Sequence, residues 1–214
     1  MTDTHAPEVP SQTGPVEDWA PSFVTGTSAE YLGRRPLPRV VRERAAVVVV
    51  GPPRSGKTSV GVRLAGDGAL VLDTRQLEEA VVDRIRSGVW RAEIAAAAAL
   101  LLDGPVWLAD RSGVVAVLVE LLQLRQAAQR RTVVCQSDVD GSVSALLVAM
   151  PPGSIAMVGL RFPIGPRGRL RFARALCDTL GLPRARARGT EVLEPWDYPA
   201  VLAAVQRRRS VGAP

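Results

Sequence analysis

The segment Gly51-Pro52-Pro53-Arg54-Ser55-Gly56-Lys57-Thr58 places glycines first and sixth, a lysine seventh and a hydroxyl eighth. Glycines at those positions let a turn wrap an anion with backbone N–H groups where a Cβ would block the approach. Lys57 is then set to reach the β- and γ-phosphates of a nucleotide, and the Thr58 hydroxyl is a ligand for Mg²⁺. Of 27 Lys and Arg residues, Lys57 is the only lysine. The pattern predicts a nucleoside triphosphate, ATP first, bound with Mg²⁺ by residues Gly51 to Thr58 and the adjoining Ser59.

Three further groups could serve such a ligand. Asp110 closes the apolar run Val106-Trp107-Leu108-Ala109, a position from which a carboxylate holds Mg²⁺ and from which it can equally cap a turn. Arg111 follows it, so no second carboxylate stands beside Asp110 to polarise a water. Gln136 and Ser137 follow another apolar run, where a polar side chain can sense the γ-phosphate; Lys57, Asp110 and Ser137 form the candidate catalytic set. Asp73, Thr74 and Arg75 suit the acceptor edge of a phosphotransferase, and suit a helix N-cap better. The sole histidine is His5, so histidine acid–base catalysis is not expected, and Cys135 and Cys177 have no metal-ligand spacing.

These groups need elements to carry them. Ala45 to Val50 is an unbroken apolar run, as in a parallel strand buried on both faces. Further short strands are expected at 69–72, 106–109, 132–135 and 154–160, with helices at 57–65, 75–87, 91–103, 114–130 and 142–150. The alternation predicts an α/β fold of three layers, a mainly parallel sheet of about five strands between helices. Beyond it, a helix over about 168–180 stops at Gly181 and Pro183, an extended piece follows at 190–193, and a last helix is capped by Asp197.

Residues 1–28, rich in Pro, Ser, Thr and acid, read as a mobile tail that docks through Trp19 and Phe23; 29–165 read as the nucleotide-binding domain and 166–214 as a short basic helical extension. That extension holds most of the excess charge: 161–214 carry eleven arginines against four carboxylates. Arg167, Arg171 and Arg174 fall on one helix stripe, fit for nucleotide phosphate or for a nucleic-acid or protein partner. The opening residues lack the apolar stretch of a secretory signal and no run reaches membrane-spanning length, so a cytoplasmic setting is expected.

The eight-residue motif is the Walker A pattern. With Asp110 after the third expected strand and Gln136-Ser137 after the fourth, residues 40–165 resemble P-loop NTPases of the AAA+ type, loosely the replication initiators and transposon helpers. The resemblance implies ATP binding, a weak or partner-stimulated ATPase, a sensor role for the polar residue after strand four, and a sensor arginine for which Arg174 stands. The chain departs from the family in lacking an Asp-Glu pair, in having Pro151-Pro152-Gly153 where a finger arginine is expected, and in its short C-terminal portion. Two other readings share the cradle: a small-molecule or nucleoside kinase using Asp73, and a non-hydrolysing nucleotide-dependent adaptor.

Overall fold

Six short runs of apolar, mostly branched residues line up side by side in the computed structural model, which describes residues 22–33, 36–104, 112–137, 150–151 and 153–207. They are β1 (Ser22–Gly26), β2 (Ala46–Gly51), β3 (Leu70–Leu72), β4 (Ala99–Asp103), β5 (Arg131–Ser137) and β6 (Ile155–Leu160), in the spatial order β1-β6-β2-β5-β4-β3. Every pairing is parallel. Parallel strands need crossovers, and helices supply them on both faces, which explains the lack of polar alternation in the strands.

In β2 the side chains divide between the two faces. Val48 and Val50 join Leu100, Leu102, Leu118, Leu121 and Val134 in one core. Val47 and Val49 join Val60, Leu64, Leu101, Val133 and Val158 in the other. The first core lies under α4 (Thr74–Ser87), α5 (Ala92–Ala96) and α6 (Ser112–Ala127). The second lies under α1 (Ser28–Leu32), α2 (Arg39–Glu43) and α3 (Lys57–Ala65). A third cluster joins α7 (Gly165–Thr179) and α8 (Tyr198–Arg207) through Phe172, Leu176, Tyr198, Val201 and Val205, and rests on Ala29 of α1. Among the described residues no helix is long and apolar enough to cross a membrane.

Among the described residues the sheet has six strands. One that was not expected is β1, inside the stretch read from sequence as a tail ending at residue 28; its backbone pairs with β6 from Ser22↔Ala156 to Gly26↔Leu160. The larger correction concerns 91–103, expected to be one alanine-rich helix. The helix is confined to Ala92–Ala96, and Ala99–Asp103 is a buried strand between β3 and β5. Alanine's helix propensity amounts to a few tenths of a kcal/mol per residue over its competitors, less than burying Leu100, Leu101 and Leu102 at about 1.5–3 kcal/mol each. The expected strand at 106–109 and most of the expected helix at 142–150 lie outside the described residues. Residues 190–193, expected to be extended, run through turns.

One buried arginine fixes where α5 stops. Arg125 of α6 is fully buried and donates to the Ile94 and Arg131 carbonyls and to Thr132 Oγ1, each at 2.8 Å. Burial pushes its guanidinium down to about 10. Arg130 donates to the Ala95 carbonyl at 2.6 Å. These donors satisfy carbonyls that the helix would otherwise bond by continuing, and free the chain to turn into β4. Arg125→Met should lower unfolding stability by roughly 3 kcal/mol or more, because buried carbonyls and a hydroxyl lose their donor. Urea denaturation checks this; a loss under about 1 kcal/mol would mean the arginine is not the stop.

Candidate nucleotide-binding site

The crevice beyond the carboxyl ends of parallel strands is where open α/β sheets place ligands. Here the ends of β2, β4 and β5 bring Gly51, Asp103 and Ser137 together, Gly51 being register partner to Ser137 and Asp103 to Cys135. The loop from Pro52 to Gly56 leaves β2 and enters α3, whose N-cap is Gly56 at φ 90°. That left-handed conformation suits glycine. The unpaired amides of the first turn of α3 then face the loop, adding positive potential.

Lys57 starts α3. Its Nζ donates to the Gly51 carbonyl at 3.0 Å and the Pro52 carbonyl at 2.7 Å. Burial holds its ammonium below the usual lysine range, with Asp103 opposing the shift. Thr58 Oγ1 donates to the Asp103 carboxylate, 2.9 Å from Oδ2 and 3.1 Å from Oδ1. A hydroxyl and a carboxylate, both hard oxygen donors, thus meet at the mouth of the loop, the donor chemistry that Mg²⁺ prefers. Ser55 Oγ is buried without a hydrogen-bond partner inside the loop. An orphaned donor there is what a polyphosphate would satisfy.

Asp103 is the residue that the sequence reading missed. It closes Leu100-Leu101-Leu102 as a carboxylate closing an apolar strand, but those leucines were assigned to a helix. Asp110 and Arg111 lie outside the described residues. Gln136 is buried, and Ser137 ends β5 beside Gly51. Asp73 is a helix cap: its Oδ1 accepts from the Gln76 amide at 2.8 Å, and the Asp73 amide donates to Gln76 Oε1 at 3.0 Å. Arg167, Arg171 and Arg174 stand together on the exposed face of α7. Arg171 lines a groove of about 1040 Å³ between α1 and α7, with Arg161, Phe162 and Ile164.

It is the N-terminus of α8 that touches the loop. Asp197 Oδ2 accepts from Arg54 Nε at 2.6 Å, and the Tyr198 amide donates to the Arg54 carbonyl at 3.1 Å. The Arg54 guanidinium holds the Asp197 carboxyl below its ordinary range, against the effect of burial. Asp197 was expected only as a helix cap, which it also is, accepting from the Ala200 amide at 2.8 Å.

No family profile and no curated protein matches the sequence. Solved structures do. Domain III of the Thermotoga maritima replication initiation protein DnaA aligns with a TM-score of 0.54 at 13% identity, over 83% of this chain and 78% of that one. DnaA from Aquifex aeolicus bound to AMPPCP gives 0.55 at 13% identity, over 78% and 55%. DnaA bound to AMPPCP and single-stranded DNA gives 0.54 at 13% identity, over 78% and 56%. This chain has the P-loop NTPase fold. It spans just over half the length of the two nucleotide-bound initiators. In this P-loop fold the loop from Gly51 to Thr58 stands at the carboxyl end of a central strand, flanked by β5 and β6.

The site depends on how closely α3 lies on the sheet. A Cβ on Gly61 would come within 2.4 Å of Cys135 Sγ and 2.9 Å of Leu101 Cδ1. Gly61→Ala should therefore destabilise the protein by about 1–3 kcal/mol through overpacking, although alanine is the better helix former by about 1 kcal/mol. A stability gain in urea denaturation would show that α3 can lift off the sheet without cost.

Proposed function

We propose that this chain binds ATP with Mg²⁺ in the Gly51–Thr58 loop and is a slow, partner-stimulated ATPase of the AAA+ type. The observation that carries the reading is the contact between Thr58 Oγ1 and the Asp103 carboxylate at the end of a buried strand. Loop amides and Lys57 would hold the phosphates, Thr58 directly and Asp103 directly or through water would hold Mg²⁺, and Ser137 would orient a water. When bound, Mg²⁺ would neutralise charge on the terminal phosphates. Gly104 follows Asp103, so no carboxylate neighbours it in sequence to activate a water. Basal turnover well below the common enzyme scale of ~10 s⁻¹ is expected on that ground. Of the features that suited a kinase, Asp73 caps α4 through Oδ1, which favours the ATPase reading over that one.

ATP with Mg²⁺ should raise the melting temperature, since a ligand of the folded state stabilises it by mass action. Lys57→Ala should abolish the rise while leaving the nucleotide-free protein folded. Asp103→Asn should weaken binding more with Mg²⁺ than with EDTA. Calorimetric titration separates these outcomes; an intact response in Lys57→Ala would remove the assignment of the loop.

The exposed stripe of Arg167, Arg171 and Arg174 supports an external polyanion as the stimulating partner. Arginine–phosphate contacts release counterions, so nucleic-acid binding should weaken steeply with salt. Replacing all three by Gln should flatten the salt dependence by up to about three contacts' worth. Fluorescence anisotropy with labelled single-stranded DNA measures it, and an unaltered slope would assign the stripe to solvent alone.

A further inference from the structure

Arg54, fourth residue of the phosphate loop, sits at φ 60°. That left-handed conformation is open to glycine and costly for a residue with a Cβ. An arginine kept there must be held. The loop closes a turn across it, the Ser55 amide donating to the Pro52 carbonyl at 3.3 Å, and the C-terminal module adds two contacts of its own. The Tyr198 amide fixes the Arg54 carbonyl at 3.1 Å, and Asp197 Oδ2 fixes the side chain at Nε, 2.6 Å away. Tyr198 also packs against the next glycine of the loop: a Cβ on Gly56 would meet its ring at 2.9 Å.

Asp197 is nearly buried, with its side chain 6% exposed, and its two oxygens divide their work. Oδ1 caps α8 through the Ala200 amide and Oδ2 anchors the loop. The same carboxylate therefore starts the last helix and sets the backbone of the cradle. Behind it, α8 is tied into the third core cluster by Val201 and Val205, against Leu176 of α7 and Ala29 of α1. The Arg54 side chain is largely exposed, but the carboxylate that anchors it belongs to a packed unit.

We propose that Asp197 is a positioning residue of the nucleotide site, acting through Arg54, and that nucleotide and the α7–α8 module stabilise one another through this contact. The inference rests on the nucleotide reading above. On that reading the amides after Arg54 line the cradle, and their directions follow from the dihedrals of Arg54 within the turn that the Ser55 amide closes on the Pro52 carbonyl. With the anchor removed, Arg54 relaxes towards negative φ and those amides no longer converge. By reciprocity, a polyphosphate that holds the amides in place favours the docked module by the same factor.

The test uses the full chain and titrates ATP with Mg²⁺ by calorimetry. Asp197→Asn keeps a good helix cap but removes the negative charge that faces the Arg54 guanidinium. It should weaken ATP binding about tenfold, a coupling of ordinary size for groups in contact. Arg54→Ala leaves α8 untouched, yet it should bind about tenfold more weakly than Arg54→Gly, which takes the left-handed conformation unaided. In the Arg54→Gly background, Asp197→Asn should cause no further loss. Hydrogen exchange over residues 198–207 should slow on ATP addition in the parent and not in Asp197→Asn.

Equal binding by Arg54→Ala and Arg54→Gly would overturn the proposal, even if Asp197→Asn proved poorly folded. So would an undiminished tenfold effect of Asp197→Asn in the glycine background, which would assign Asp197 a purely structural role. Lys57→Ala separates this failure from that of the nucleotide reading. If the parent and Lys57→Ala bind no ATP, that reading falls and this one with it. If only Lys57→Ala loses binding and Asp197→Asn matches the parent, the positioning role alone falls.

Discussion

The closeness of α3 to the sheet is the constraint on which the rest of this structure depends. A helix seated against β4 and β5 with a glycine at its closest point carries Thr58 to within hydrogen-bonding distance of the Asp103 carboxylate. Cys135 records the same closeness, donating from Sγ to the Lys57 carbonyl at 3.3 Å. Burial pushes its thiol well up, so it packs as a small apolar group instead of a reactive one. The branched residues of β2 beneath the helix bury both faces and hold the strand flat against its neighbours. Chemistry at the mouth of the loop is therefore set by apolar packing within one turn of it along the helix.

Arginines do structural work at the opposite end of the strands. Arg125 and Arg130 bind carbonyls at the end of α5, while Arg131 donates to the Leu64 carbonyl at 3.1 Å and the Val41 carbonyl at 2.8 Å. These bonds tie α2, α3 and α5 to the start of β5, and so help fix the register that brings Asp103 level with Cys135. A charge count taken from the sequence alone cannot separate such buried arginines from exposed ones, and some of the basic character is spent inside.

Much of the fold was legible because strands buried on both faces leave unbroken apolar runs; β2, β5 and β6 are all of this kind. The loop was legible because its glycines, lysine and hydroxyl have a fixed spacing. Two things were not. Ala-Leu-Leu-Leu-Asp looks like the end of an alanine-rich helix until Arg125, about thirty residues on, is known to satisfy the Ile94 carbonyl. The Asp197–Arg54 contact joins residues 143 apart in sequence, a separation no local pattern encodes. β1 was hidden for a third reason: five residues bounded by proline and glycine carry too short a pattern to show an edge strand that gains its partner only from β6.

Together, loop, strand-end carboxylate and C-terminal anchor form one unit, in which a phosphate ligand would meet groups from α3, β4 and, indirectly, α8. On the function proposed above, Thr58 and Asp103 share a divalent cation beside bound nucleotide. Anomalous scattering from crystals grown with ATP and Mn²⁺, a substitute for Mg²⁺ with a far stronger anomalous signal, shows whether they do. The account predicts a manganese peak between Thr58 Oγ1 and the Asp103 carboxylate, next to nucleotide phosphate in the Gly51–Thr58 loop. A peak on Asp110 remote from Asp103, or nucleotide bound elsewhere, would contradict it.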